Sequence, residues 1–131
     1  MSKSNTKLRD ARIVLIIDDE EGFCVFLSRM LVNWGYKVRT SNSARSVDFE
    51  QFGETDIIFI DIKMPDMSGI QVLEFLSQKQ VKSSIVLMSG ADIDDLSKAE
   101  TLAKQYDLEL IGVLDKPFRE LDILTILETN R

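Results

Sequence analysis

Three carboxylates, a hydroxyl and an ammonium stand at matching places in this chain of 131 residues. Asp18 and Asp19 follow the apolar run Ile13 to Ile17, and Asp61 follows Ile57 to Ile60. Ser89 follows Ile85 to Met88, and Lys116, with Pro117 behind it, follows Leu110 to Leu114. If the runs lie side by side, these side chains share one rim. Crowded carboxylates repel one another, and the cheapest relief at neutral pH is a divalent cation bound through oxygen. Mg²⁺ is favoured by a small ligand set that leaves positions for water. One such carboxylate can attack phosphorus while the cation, a lysine and a hydroxyl stabilise the transferred charge. The set fits phosphoryl transfer to an aspartate.

Taken singly, each residue has a plainer explanation. Asp18-Asp19-Glu20-Glu21 suits a helix N-terminus, where the dipole favours negative charge. Asp61, Ser89 and Lys116 each pass for an ordinary solvated residue. Independent accidents at successive strand ends are a poorer account than one site. The chain has no histidine, which removes histidine triads, histidine metal ligands and an internal phosphohistidine relay. Nor does it have GxGxxG or GxxxxGK, and four acids in the first loop would repel a bare phosphate. A phosphatase of the haloacid dehalogenase type needs an acid two residues after its nucleophile, where this chain has Lys63.

The elements that must position these residues are legible as alternating patterns. Besides the four runs named above, a weaker one covers Lys37 to Thr40. IVLII, IIFI and IVLM are continuously apolar and β-branched, which suits parallel strands covered on both faces. Between them, Phe23, Phe26, Leu27, Met30, Leu31 and Trp34 have helical spacing, with Gly35 as a stop. Ala44, Val47 and Phe52 outline a second helix after Ser43, and Ile70, Leu73 and Leu76 a third. Ile93, Leu96, Ala99 and Ala103 outline a fourth, and Leu121, Leu124 and Leu127, or Ile123 and Ile126, a fifth. Strictly alternating strands and helices predict an α/β fold, a single doubly wound five-stranded parallel sheet. In such a sheet the functional crevice lies beyond the carboxyl ends of the strands, where the five polar residues fall.

Composition agrees with one domain, expected over residues 11–131 behind a flexible tail of residues 1–10. Hydrophobic residues make up 44% and charged residues 29%, a globular balance. With 16 basic and 22 acidic residues the net charge is −6, which disfavours direct nucleic-acid binding. No apolar run approaches the roughly 18 residues of a membrane span, so no membrane partner is expected. The start MSKSNTKLRD lacks the apolar core of a signal peptide, and the single Cys24 fits a reduced, buried thiol; both predict a cytoplasmic location.

On these motifs the sequence closely resembles the receiver domain of two-component response regulators. IVLIIDDEEGF is similar to the family's first strand and acidic pair, and IIFIDIKMPDMSGIQVL to its phosphorylation segment. IVLMSGAD is similar to its hydroxyl-bearing fourth strand and VLDKPF to its lysine motif, so the likeness spans about residues 11 to 129. The resemblance implies a (βα)5 flavodoxin-like fold with strand order 2-1-3-4-5. It also implies that Asp61 is the phosphoacceptor, that Asp19 binds Mg²⁺ directly and Asp18 through water, and that Lys63 adds its backbone carbonyl. Ser89 would hydrogen-bond the phosphoryl group, and Lys116 would pair with Asp61 before phosphorylation and with the phosphoryl group afterwards. Pro117 would follow a cis peptide bond, and Pro65 and Gly69 would shape the loop into the third helix.

The implied activity is a phosphorylation switch, not an enzyme acting on free metabolites. The implied partners are a histidine kinase or histidine phosphotransfer protein, an effector domain or output protein, and a phosphorylation-dependent homodimer. One position departs from the family pattern: Val113 stands where many receivers carry the Tyr or Phe of an aromatic switch. A response carried by the loop from Gly90 to Asp95 and by the fourth helix is expected instead. The segment LELIGVLDKPF is similar to receivers joined to cyclic-di-GMP phosphodiesterase domains of the EAL type.

Overall fold

The computed structural model describes residues 13–90 and 93–129, with the side chains of 93–95 excepted. The expected tail and much of the Gly90-to-Asp95 loop lie outside the described residues. Five parallel strands form one sheet: β1 (Ile13–Ile17), β2 (Lys37–Ser41), β3 (Ile57–Asp61), β4 (Ser84–Ser89) and β5 (Leu110–Asp115), in the order β2-β1-β3-β4-β5. The four described α-helices are α1 (Glu21–Asn33), α2 (Gly69–Gln78), α3 (Ile93–Gln105) and α4 (Glu120–Thr129).

The apolar runs build two cores because successive side chains of a strand point to opposite faces. Leu15, Ile17, Ile58, Ile60, Ile85 and Leu87 pack beneath α2 and α3, where they meet Val72, Leu76, Ala99 and Ala103. Val14, Ile16, Ile57, Phe59, Val86 and Met88 pack on the other face against Leu27 and Leu31 of α1 and Ile123 and Leu127 of α4. Each fully buried Ile or Leu contributes roughly 1.5–3 kcal/mol relative to an exposed one. Among residues placed in helical stripes by spacing, Phe26, Ile70 and Leu121 are exposed instead. The buried face of α4 uses Ile123 and Leu127, one residue from each of the two expected alternatives.

The connection between β2 and β3 differs from the expected helix. It makes two 3-10 turns, Ala44–Ser46 and Phe49–Gln51, capped by the side chains of Ser43 and Asp48. Each cap restarts the chain after three residues, so a continuous α-helix cannot propagate. Ala44 and Phe49 still bury on the α2/α3 face.

Three helices end through a residue of positive φ: Gly35 at 96°, Gln80 at 56° and Asp107 at 60°. At each, the N–H of the following residue, Tyr36, Val81 or Leu108, donates back to the carbonyl of Leu31, Leu76 or Ala103. That geometry satisfies carbonyls a helix end leaves open.

Gly112 permits the close packing of α4 on β5. A Cβ there would stand 2.7 Å from Cδ1 of Ile126. The sheet is also irregular at this point, since Ile85 pairs with Leu110 but Val86 with Gly112. Gly112→Ala should destabilise the domain by about 1–3 kcal/mol through overpacking, read from the midpoint of urea denaturation, and shortening Ile126 to Val in the same chain should recover part of the loss.

Candidate functional site

The carboxyl ends of β1, β3, β4 and β5 bring all five expected side chains to one rim. Asp18 follows β1, Asp61 and Ser89 end β3 and β4, and Lys116 follows β5. Carboxylate oxygens of Asp18, Asp19 and Asp61 lie within 4.8 Å of one another. Asp18 and Asp61 are buried and Asp19 is exposed, so the cluster opens to solvent on one side.

Lys116 is the hub. Its Nζ stands 2.6 Å from Asp18 Oδ2, 3.1 Å from Asp61 Oδ2 and 3.1 Å from Glu20 Oε1. The partners of the ammonium thus include Asp18 and Glu20 beside the expected Asp61. The Phe23 ring also faces it, 4.3 Å from centroid to Nζ, and Phe118 meets Phe23 edge-on with centroids 5.3 Å apart. The Lys116–Pro117 peptide is cis, as expected.

Backbone groups fix the two buried acids. The amide N–H of Glu20 donates to Asp18 Oδ1 at 3.0 Å, and that of Lys63 to Asp61 Oδ1 at 2.9 Å. The Lys116 N–H donates to the Ser89 carbonyl at 2.7 Å, tying β5 to β4 beside the site. Among the described residues the buried Ser89 Oγ has no hydrogen-bond partner. A buried hydroxyl left unpaired carries a free-energy cost and is ready to donate to an incoming oxygen.

Burial pushes the Asp61 carboxyl above its ordinary range, against the lowering influence of the Lys63 amide and Lys116, and the charge on Asp18 adds to the rise. Burial works against the Lys116 charge, but the hydrogen bonds that it donates to Asp18, Glu20 and Asp61 prevail and hold it above the ordinary lysine range. Three carboxylates against one ammonium leave an excess of negative charge among oxygen donors. That donor set fits a hard divalent cation such as Mg²⁺.

Cys24 lies directly behind the site, its Sγ 3.4 Å from the Asp18 carbonyl oxygen. Burial and the Asp18 charge push its thiol up to about 11. After β3 the chain makes a small antiparallel hairpin, Lys63–Met64 with Met67–Ser68, before Ser68 caps α2 in a reciprocal capping box with Gln71. Gly69 lets the chain pass close there, since a Cβ would meet the Ile62 side chain at 3.0 Å and its carbonyl at 3.1 Å. Val113 is half-buried and packs into the core on the α2/α3 face.

Glu20, Phe23 and Phe118 escaped sequence reasoning as members of the site. Glu20 reads as one more acid at a helix start. Its contact with Lys116 joins residues 96 positions apart, a distance no local pattern encodes. No described helix is long and apolar enough to cross a membrane.

Known proteins resemble the chain over nearly its whole length. A family model described as the response regulator receiver domain matches residues 14–128. The cell cycle transcriptional regulator CtrA of Caulobacter vibrioides is 30% identical over 112 residues, 85% of this chain and 46% of CtrA. The chain therefore spans less than half the length of the curated relatives it matches. A response regulator from Colwellia psychrerythraea superposes with a TM-score of 0.77 at 31% identity, over 90% of this chain and 94% of that one. The beryllofluoride-activated NtrC4 receiver domain dimer superposes with a TM-score of 0.70 at 28% identity, over 88% and 93% of the two chains.

Proposed function

We propose, from the premise that this chain belongs to the response regulator receiver domain family, that it is a signalling switch whose phosphoacceptor is the Asp61 carboxylate. Receiver domains are two-component switches that assist their own phosphorylation and dephosphorylation and do not turn over free metabolites. The observation that carries the residue assignment is the setting of Asp61: a buried carboxylate at a strand end, 3.1 Å from the Lys116 ammonium and clustered with Asp18 and Asp19.

In this reading an Asp61 oxygen attacks the phosphorus of a phosphohistidine on a histidine kinase or phosphotransfer protein. The O–P bond forms as the N–P bond breaks, and the electron pair stays on the imidazole nitrogen, which is then protonated. Asp18, Asp19, Asp61 and the Lys63 carbonyl would hold Mg²⁺, which neutralises charge on the carboxylates and phosphoryl oxygens. Lys116 follows the negative charge from the Asp61 carboxylate to the phosphoryl group. Ser89 supplies the hydroxyl, its hydrogen bond being unused in the resting state. The output is a change in the binding of an effector domain or output protein, or homodimerisation, in a cytoplasmic setting.

Intact-mass measurement after incubation with acetyl phosphate and Mg²⁺ tests the reading. One phosphoryl adduct is expected, absent when the metal is chelated and removed by hydroxylamine, as an acyl phosphate requires. An adduct that resists hydroxylamine, or that forms equally well with the metal chelated, overturns it.

A further inference from the structure

Lys116 is held from a direction that phosphoryl transfer to Asp61 does not require. Of its contacts, Asp18 and Asp61 belong to the carboxylate cluster, whereas Glu20 and Phe23 belong to the start of α1: Glu20 caps the helix and Phe23 lies in its first turn. The Glu20 side chain makes no capping hydrogen bond to its own helix. Its carboxylate reaches Lys116 instead, although 65% of the side chain is exposed. An ammonium has three N–H donors, and Asp18, Asp61 and Glu20 supply three acceptors. As Lys116 turns from the Asp61 carboxylate to the phosphoryl group, its Nζ must shift from the place where Glu20 and Phe23 also hold it. The exposed Glu20 is released at less cost in desolvation than the buried Asp18 would be.

We propose that Glu20 and Phe23 are positioning residues that tether Lys116 to α1 in the resting state, so that its transfer to the phosphoryl group works against both. The inference rests on the assignment of Asp61 as phosphoacceptor. Its consequence is that the start of α1, with Phe23 stacked edge-on against Phe118, senses the phosphorylation state through Lys116. That route needs no aromatic residue at Val113. The tether also sets how readily the switch closes, because any interaction present only in the resting state lowers affinity for a ligand that selects the other state.

Beryllofluoride, a phosphoryl mimic, serves as the probe, with its binding in Mg²⁺ followed by fluorine NMR. Glu20→Gln and Phe23→Leu should each tighten binding about twofold to fivefold, the range expected for losing one exposed ion pair or one cation–π contact. Glu21→Gln removes a neighbouring charge that makes no such contact, and it controls for general relief of repulsion toward an anion. In a Lys116→Ala background the effects of Glu20→Gln and Phe23→Leu should vanish, because the double-mutant cycle isolates the coupling to Lys116.

Weaker or unchanged binding in both variants overturns the tether. So does an effect of Glu21→Gln equal to that of Glu20→Gln, or an effect that persists without Lys116. Failure of wild-type protein to bind beryllofluoride, or equal binding by Asp61→Asn, overturns the phosphoacceptor assignment and the tether with it. Binding that requires Asp61 but ignores Glu20 and Phe23 overturns the tether alone.

Discussion

Asp61→Asn should abolish phosphoryl incorporation and at the same time make the metal-free protein more stable at neutral pH. The first effect follows because an amide oxygen is no nucleophile toward phosphorus. The second follows from the site's electrostatics: burial and the neighbouring Asp18 charge raise the Asp61 carboxyl above its unfolded value, outweighing the attraction of Lys116. A folded-state value above the unfolded one means that the native protein binds the proton more tightly, so the ionised carboxylate costs stability. That cost is fully present above the raised value and disappears as pH falls to the unfolded value of 3.8. Asparagine keeps the shape and removes the cost. Urea denaturation of both proteins without Mg²⁺ should show the variant's advantage at pH 7 narrowing on acidification. An Asp61→Asn protein that is less stable at pH 7, or that still gains the hydroxylamine-sensitive adduct, would contradict this account of the site.

Lys116→Ala should have the opposite sign in stability. It strips the ammonium from Asp18 and Asp61, whose side chains are 0% and 5% exposed, leaving two desolvated negative charges facing each other. Breaking such a buried pair from one side costs about 3 kcal/mol or more. The Lys116 contribution is present below the unfolded lysine value of 10.5 while its carboxylate partners are ionised and is lost as pH rises through its raised folded-state value, so the penalty should be undiminished at pH 7. Mg²⁺ should recover much of the loss, since a divalent cation among the carboxylates replaces the missing charge. Affinity for beryllofluoride should fall by about tenfold or more, corresponding to one lost charge-assisted hydrogen bond. Equal stability of variant and wild type in chelator would show that Lys116 is not the counter-charge the geometry indicates.

These effects were partly foreseeable from sequence, and the boundary is physical. Runs such as IVLII and IIFI declare themselves as buried parallel strands because both faces must be apolar, and both faces are indeed covered. The rim of polar side chains follows, since a parallel sheet collects whatever stands after its strands. Strand order came through family likeness, because nothing in one strand names its neighbour. The β2–β3 connection departs from the expected helix although the spacing of Ala44, Val47 and Phe52 imitates a helical stripe. The capping side chains of Ser43 and Asp48 interrupt that stripe and set two short turns. Exposure of Phe26, Ile70 and Leu121 shows the same limit, since spacing marks an apolar side of a helix without saying how far the sheet beneath it extends. Glu20 and Phe23 join the site only because α1 starts beside the loop after β5, a tertiary fact with no local signature.

The thiol of Cys24, closed beneath the first loop and held protonated by its surroundings, makes the protein its own stopwatch. A thiol pushed up to about 11 reacts negligibly while buried, because the thiolate is the reactive form. Labelling by an alkylating reagent must then wait for α1 to lift away from β1, and the labelling rate counts those openings. As the chain has no other cysteine, a single chromatographic peak reports the breathing of one helix, with no engineered probe and no correction for competing sites.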